Sequence, residues 1–323
     1  MKLPLALPLL ALTSAQDRTG CGLPAAPCSL NGVCDTALGQ CACDPGWHGE
    51  TCATLKLIPA ARKSGFHMFG AASGAPNAAT SSWGGVVERQ DDGSWGMVSS
   101  ELIQHCGINS WCTNSRVVYA SAAANQPHGP YTHNRTLFGP FAHEPSLARA
   151  PNGSWALYFG QYRADCAVGG EHYHPPCACA SEQGTPKNCS SEIPESECPH
   201  VTWLSTAPAL RGPWSAPREV PLLDCNKTFC QHDMVLAGKI LPNGSFVGIA
   251  KVHSKYGSEA HRVTANDWAD ADGYKQSPND ESGNLFPPAT SVDGGRVEDP
   301  SEPWQNERGE WHTVCDMCYL PLC

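Results

Sequence analysis

The chain carries one repeating pattern of apolar and polar positions. A short apolar run leads into a turn with glycine, an aromatic residue follows two positions later, and a second apolar run begins. Four segments show it: Val86-Val87 to Gly93 and Trp95, Leu147 to Gly153 and Trp155, Ile240 to Gly244 and Phe246, and Trp304 to Gly309 and Trp311. Asp-Gly and Asn-Gly turns tolerate positive φ and match the twist of their flanking strands, so each segment predicts a β-hairpin. Two units share a second element: Val117-Val118-Tyr119 runs to Gly129-Pro130-Tyr131, and Val201-Thr202-Trp203 runs to Gly212-Pro213-Trp214. The interval from turn glycine to Gly-Pro is 36 residues in the first case and 59 in the second, which fits an insertion holding Cys166, Cys177, Cys179, Cys189 and Cys198. Helical periodicity is nearly absent. Turn-to-turn distances of 60, 91 and 65 residues suit four-stranded blades with long loops better than a sandwich. The predicted fold is mainly β, a propeller of which four blades are visible, over residues 64–323.

The first residues predict export. Lys2 precedes an apolar run from Leu3 to Leu12 and then Thr13-Ser14-Ala15, small residues suited to cleavage, so 1–15 read as a signal peptide. That run is too short to span a bilayer, and no other stretch reaches spanning length. Five sequons begin at Asn134, Asn152, Asn188, Asn226 and Asn243, as expected of a secreted, extracellular glycoprotein. Composition narrows the partners. Lys and Arg number 21 against 31 Asp and Glu, a net charge of −10, and neither nucleic acid nor an anionic membrane surface suits such a balance. With 41% hydrophobic residues the chain can build a core, and 18 cysteines fit an oxidising compartment.

Six cysteines, Cys21, Cys28, Cys34, Cys41, Cys43 and Cys52, fall close together at intervals of six, five, six, one and eight residues. A segment this small needs crosslinks in place of an apolar core. It ends Cys41-Ala-Cys43-Asp-Pro-Gly46-Trp47-His-Gly49-Glu-Thr-Cys52, with glycines for tight turns and one large ring to cover the sulfurs. Residues 17–53 thereby resemble the epidermal growth factor (EGF) fold, with 54–63 as a linker. The resemblance implies the pairs Cys21–Cys34, Cys28–Cys41 and Cys43–Cys52, which spacing alone does not select. Asp17 and Asp35 match the calcium-binding subtype poorly, so no calcium is expected. A protein-contact module and a structural spacer are both open readings.

In a propeller the first strand of each blade lines the central channel, and the starts of those strands converge at one mouth. Counting back from the turn glycines gives His143-Glu144-Pro145, His232-Asp233-Met234 and Glu298-Asp299-Pro300. Glu144, Asp233 and Glu298, with Asp299 beside it, are therefore the candidate catalytic residues, and His143, His232 and Trp83 the candidate substrate-binding ones. Converging carboxylates are what glycoside hydrolysis needs: one group protonates the leaving oxygen and another activates water or attacks the sugar. Trp83-Gly-Gly, Asp92-Gly93, Cys106 to Trp111, His143-Glu144-Pro145, the two Gly-Pro-aromatic elements and Val297-Glu298-Asp299-Pro300 together resemble the five-bladed propeller glycoside hydrolases of the arabinanase, β-xylosidase and invertase type. The likeness implies an incomplete five-bladed propeller. It implies a pKa-tuning role for Glu144 and the general-acid place for Asp233, both with exchanged residue types. Where the family keeps its general base, this chain has Ser82, Trp83 and Gly84 and no acid.

Two function classes follow: a secreted glycosidase acting on plant- or algal-type polysaccharide, and a non-catalytic extracellular protein that binds glycan or protein. No cofactor is expected. Cys106 with Cys112 and Cys225 with Cys230 are spaced for local disulfides. His172, His174, Cys177 and Cys179, and the pair Cys315 and Cys318, have the residue types of metal or redox sites, but oxidation competes in this compartment and no metal is assigned.

Overall fold

The structure is a computed structural model that describes residues 21–23, 26–57, 66–67, 81–104, 108, 111–139, 141–162, 200–222, 235–254, 257–277, 285 and 296–318. It divides into two compact units, Met1–Ala60 and Ala61–Cys323. In the first, the disulfides are Cys21–Cys34, Cys28–Cys41 and Cys43–Cys52, the pairing that the EGF resemblance implied. The hairpin Gly32–Asp35 with Gln40–Cys43 sets Cys34 opposite Cys41. Trp47 packs on the sulfur cluster as its covering ring. Gly32 is required by packing, because a Cβ there would lie 2.6 Å from the carbonyl oxygen of Ala42.

The second unit is built from antiparallel meanders. The first sheet takes Ser81–Arg89, Trp95–Leu102, Ser115–Ala122 and Tyr131–Phe138 in chain order, with Phe66–His67 added in parallel at its outer edge. The second takes His143–Arg149, Trp155–Tyr162, His200–Ala207 and Arg218–Val220, and the third Leu236–Ile240, Phe246–Ser254, Gly257–Ala265 and Lys275–Gln276. The fourth repeat is a hairpin of two short ladders, Arg296–Glu298 with Asp316–Cys318 and Trp304–Gln305 with Trp311–His312. Among the described residues no ladder closes the series into a ring, and the single α-helical turn is Trp111–Asn114.

All four predicted hairpins turn by the same chemistry. In each, a side-chain oxygen two residues or fewer before the turn glycine or at its start accepts backbone N–H bonds: Asp92 and Asn152 from Ser94 and Ser154, Asn243 from Ser245, and Asn306 from Arg308 and Glu310. Gly93, Gly153, Gly244 and Gly309 then sit at φ of +83°, +86°, +84° and +82°. This is a type I turn closed by a left-handed residue, the usual answer when a hairpin loop exceeds two residues.

The sheets pack face to face through the second one. Its strand Trp155–Tyr162 is buried almost throughout, and successive side chains point to opposite faces. Ala156 and Tyr158 meet Leu236, Phe246 and Val263 of the third sheet, whereas Leu157 and Phe159 meet Val98, Val117 and Tyr119 of the first. Phe138 and Phe159 stack at 4.7 Å. On the other face the hydroxyls of Tyr158 and Tyr274 lie 2.6 Å apart, and Tyr274 donates to the Trp268 carbonyl, so neither polar tip is left dry. Each large apolar side chain removed from water here contributes about 1.5–3 kcal/mol. Two-faced burial is what a stacked blade needs and a half-exposed sandwich sheet does not. Phe246→Ala should lower unfolding free energy in urea by about 3–5 kcal/mol. Gly238→Ala, whose new methyl group meets the Phe246 ring, should cost clearly less in a Phe246→Leu background than alone.

Candidate functional site

The first strands of the first, second and fourth repeats share an irregularity. In the first sheet Trp83 pairs with Ser100 and Val86 with Val98, so Gly84 and Gly85 together oppose Ser99. In the second, His143 pairs with Gly160 and Ser146 with Tyr158, so Glu144 and Pro145 oppose Phe159. In the fourth repeat Glu298 pairs with Asp316, and the Ser301 N–H donates to the Val314 carbonyl, so Asp299 and Pro300 oppose Cys315. Each is a bulge, two residues against one, which bends the strand and re-aims a side chain. The leading residue is left-handed every time: Gly84 at φ +55°, Glu144 at +47° and Asp299 at +43°. For a non-glycine residue that conformation is uncommon, costs about 1–3 kcal/mol, and gathers at functional sites.

The bulges meet. The strand His143–Arg149 lies against both Ser81–Arg89 and Leu236–Ile240, and the Ser146 hydroxyl donates to the Leu236 carbonyl. Between them runs a cavity of about 490 Å³, lined by Gly84, Glu88, Glu144, Asp299, Glu302 and Trp304 with their strand neighbours. Glu144 is nearly buried, with 9% of its surface exposed. Its Oε1 accepts a 3.2 Å hydrogen bond from Trp83 Nε1, and its backbone N–H donates to Ser100 Oγ at 2.8 Å. His143 stands behind it, with Nε2 3.7 Å from the same Oε1 and Nδ1 2.7 Å from the Ser115 hydroxyl. The His143 ring stacks on Trp111 at 5.2 Å. Asp299 is held from the other side, by the ammonium of Lys251 at 3.2 Å, a lysine only 2% exposed.

Two further carboxyls line the same cavity a few residues along the first strands. Burial pushes the Glu88 carboxyl up, partly offset by Arg149. Burial, and next the charge of Glu88, push Glu302 up to about 7, with Lys239 pulling the other way. Arg149 also pairs with Asp91 at 2.7 Å and lies over the Trp155 ring.

Of the residues singled out in the sequence, Glu144 and Asp299 line one cavity and Trp83 hydrogen-bonds to Glu144. Counting back from the turns aligned Glu298 with Glu144. The bulge register instead makes Glu298 the equivalent of His143, and Asp299 the equivalent of Glu144; the turn itself is no longer than the others, and the fourth repeat carries one extra residue between Ser301 and Trp304. The side chain of Glu298 lies outside the described atoms, as do His232 and Asp233 entirely. Asn134, Asn152 and Asn243 are exposed, whereas Asn188 and Asn226 lie outside the described residues. So do Cys106, Cys225, Cys230 and the His172 to Cys179 segment, together with the side chains of Cys112 and Cys318. Cys315 packs against Ile249 and Ala260. The sulfurs of Cys21, Cys28 and Cys41 cluster within 4.8 Å, but all three are oxidised in disulfides and offer no thiolate to a metal. Trp203 and Trp214 pack on the core between the first two sheets, and Trp304 lines the cavity. Lys251, Glu88 and Glu302 went unread in the sequence, though Lys251 had a signal: it is the one charge in the apolar run from Phe246 to Val252.

Residues 26–54 match the family of Teneurin-like EGF domains. No curated protein matches the chain significantly. Among solved structures, a protein of unknown function from Dyadobacter fermentans DSM 18053 is 12% identical, over 76% of this chain and 64% of that one, with a TM-score of 0.49. A family 117 glycoside hydrolase from Zobellia galactanivorans is 11% identical, over 75% and 71%, with a TM-score of 0.44. An endo-1,4-β-xylanase from Bacteroides thetaiotaomicron VPI-5482 is 12% identical, over 73% and 66%, with a TM-score of 0.44. The chain thus spans about two thirds of the length of these neighbours. Its own consecutive meanders, opening on one shared cavity, are what make the second unit propeller-like, beside a disulfide-bonded EGF-like module.

Proposed function

We propose that this is an exported glycoprotein whose propeller cavity cleaves O-glycosidic bonds, with Glu144 and Asp299 as the working carboxyl groups. One observation carries the reading: two acids from different sheets occupy the same left-handed bulge and face one cavity. Asp299 is ion-paired with Lys251, so it takes the base or nucleophile role. Glu144, buried and oriented by the Trp83 indole, takes the proton-donor role towards the leaving oxygen. Trp304 offers a flat apolar ring on which a sugar face stacks. Export is supported by three disulfides in the EGF-like module, which persist only in an oxidising compartment. Among the described residues no helix is long and apolar enough to cross a membrane.

A second reading is favoured by Gly84. The first sheet presents no acid at the seat where the other two bulges present one, as in a non-catalytic glycan-binding protein that has lost part of a catalytic set. The test assays the purified, secreted protein against aryl arabinosides, xylosides, galactosides and fructosides. Glu144→Gln and Asp299→Asn should each lower kcat/KM by about a thousandfold or more, and unchanged rates in both would remove the carboxyl pair from the chemistry. Micromolar glycan affinity without turnover would select the binding reading.

The far carboxyl gives the cavity a pH dependence. A Glu302 that holds its proton to about 7 when folded, against about 4.3 when unfolded, makes the folded state the stronger proton binder between those values. Its stabilising contribution is therefore complete below the unfolded value and is lost as pH rises through about 7. Glu302→Gln should flatten the fall in thermal stability between about pH 5 and 8, by about 1 kcal/mol after allowance for partial exposure. An unchanged slope would show that Glu302 titrates normally.

A further inference from the structure

Gly84 and Gly85 are neighbours in one bulge, yet the fold requires only one of them to be glycine. At Gly85, with φ +142°, a Cβ would lie 2.9 Å from the Val98 carbonyl oxygen and 3.1 Å from the Ser99 Cβ, so no side chain fits. At Gly84 the only described atom within 4 Å of an added Cβ is Glu144 Cγ, at 3.8 Å, an ordinary contact. Backbone conformation favours glycine there without requiring it. Glu144 and Asp299 hold the same bulge position at φ +47° and +43°, against +55° for Gly84. Neither packing nor backbone, then, rules out a side chain here, and what its absence leaves is space on the cavity wall directly beside Glu144.

We infer that Gly84 forms a specificity notch that receives the exocyclic hydroxymethyl group of a neutral hexose unit. This rests on the proposed glycan site and names the substrate class it takes. The equivalent bulge position in the fourth repeat carries an Asp side chain, and a CH2OH group is smaller than that side chain. Its described surroundings are carboxyl groups: Glu144 beside it, with Asp299, Glu88 and Glu302 lining the same cavity and no Lys or Arg among the described lining residues. A hydroxyl donates to a carboxyl oxygen whether or not that group is ionised, whereas a uronate carboxylate or a sulfate brings a charge into a partly desolvated space with no described cation on its wall. A pentose lacking the hydroxymethyl group leaves the notch unfilled, and its wall without the donor.

The experiment compares an aryl hexopyranoside with the pentopyranoside that lacks only its CH2OH, and with the corresponding uronide. Wild type is run beside Gly84→Asn and Gly84→Asp, residues that tolerate left-handed φ better than other side chains. Wild type should favour the hexoside over the pentoside about tenfold or more in kcat/KM, or in Kd if the site binds without turnover, and should reject the uronide. Gly84→Asn, which fills the notch without adding charge, should erase that preference by weakening the hexoside at least about tenfold more than the pentoside, with the thermal midpoint lowered by only the few degrees that a left-handed Asn costs. A preference that survives in Gly84→Asn overturns the notch. So does a rise in kcat on hexoside and pentoside alike in Gly84→Asp, which would identify the seat as one for a catalytic carboxylate. Wild type that neither cleaves nor binds any of the sugars defeats the proposed glycan site itself, whereas an active wild type with indifferent Gly84 variants defeats only the notch.

Discussion

The second unit depends on where its first strands bend. A strand in register would alternate its side chains between the two sheet faces, and each face is wanted by a neighbouring sheet. Inserting one residue at Gly84, Glu144 and Asp299 breaks that alternation at a single point and turns one side chain out of the packing plane into the space the strands share. The cost is a left-handed residue at each bend, and the rigid meander behind it is what keeps that residue from relaxing. Precise placement of polar groups thus follows from apolar packing several residues away, with Tyr158 and Phe159 pressing on opposite neighbours from one strand.

Around the cavity, the two acids are treated differently. Glu144 is set among an indole N–H, a serine hydroxyl and a buried histidine, and Asp299 is set against a buried ammonium. Lys251 comes from the second strand of the third sheet, and so ties that sheet to the bend of the fourth repeat. A buried lysine of this kind is costly to desolvate unless its charge is met, so the same ion pair serves both the packing and the presentation of the carboxylate.

Much of this was legible in the sequence because turns are local. Asp92-Gly93, Asn152-Gly153, Asn243-Gly244 and Asn306 before Gly309 announce their hairpins with residues that act on the adjacent backbone, and the aromatic residues after them mark the return strand. The EGF-like module was equally open, its spacing and its Gly-Trp ending being set by three crosslinks. The bends were harder. Bulge register depends on the partner strand, so an approximate count back from Gly309 landed on Glu298 when the ladder sets Asp299 opposite Cys315. The Lys251 contact joins positions 48 residues apart and leaves no local trace beyond a charge among apolar neighbours. Glu88 and Glu302 look like ordinary solvated acids until the sheets bring them to one wall.

The shared turn has a directional consequence. In the first, second and fourth repeats the first strand leads from its bend to its asparagine or aspartate corner, so these hairpin corners lie at the opposite rim from the bends. The inner strand His143–Arg149 has seven residues, which at about 3.3 Å each sets the two rims roughly 20 Å apart. An oligosaccharide attached at Asn152, in the corner of the second sheet, would therefore extend away from the bend that carries Glu144.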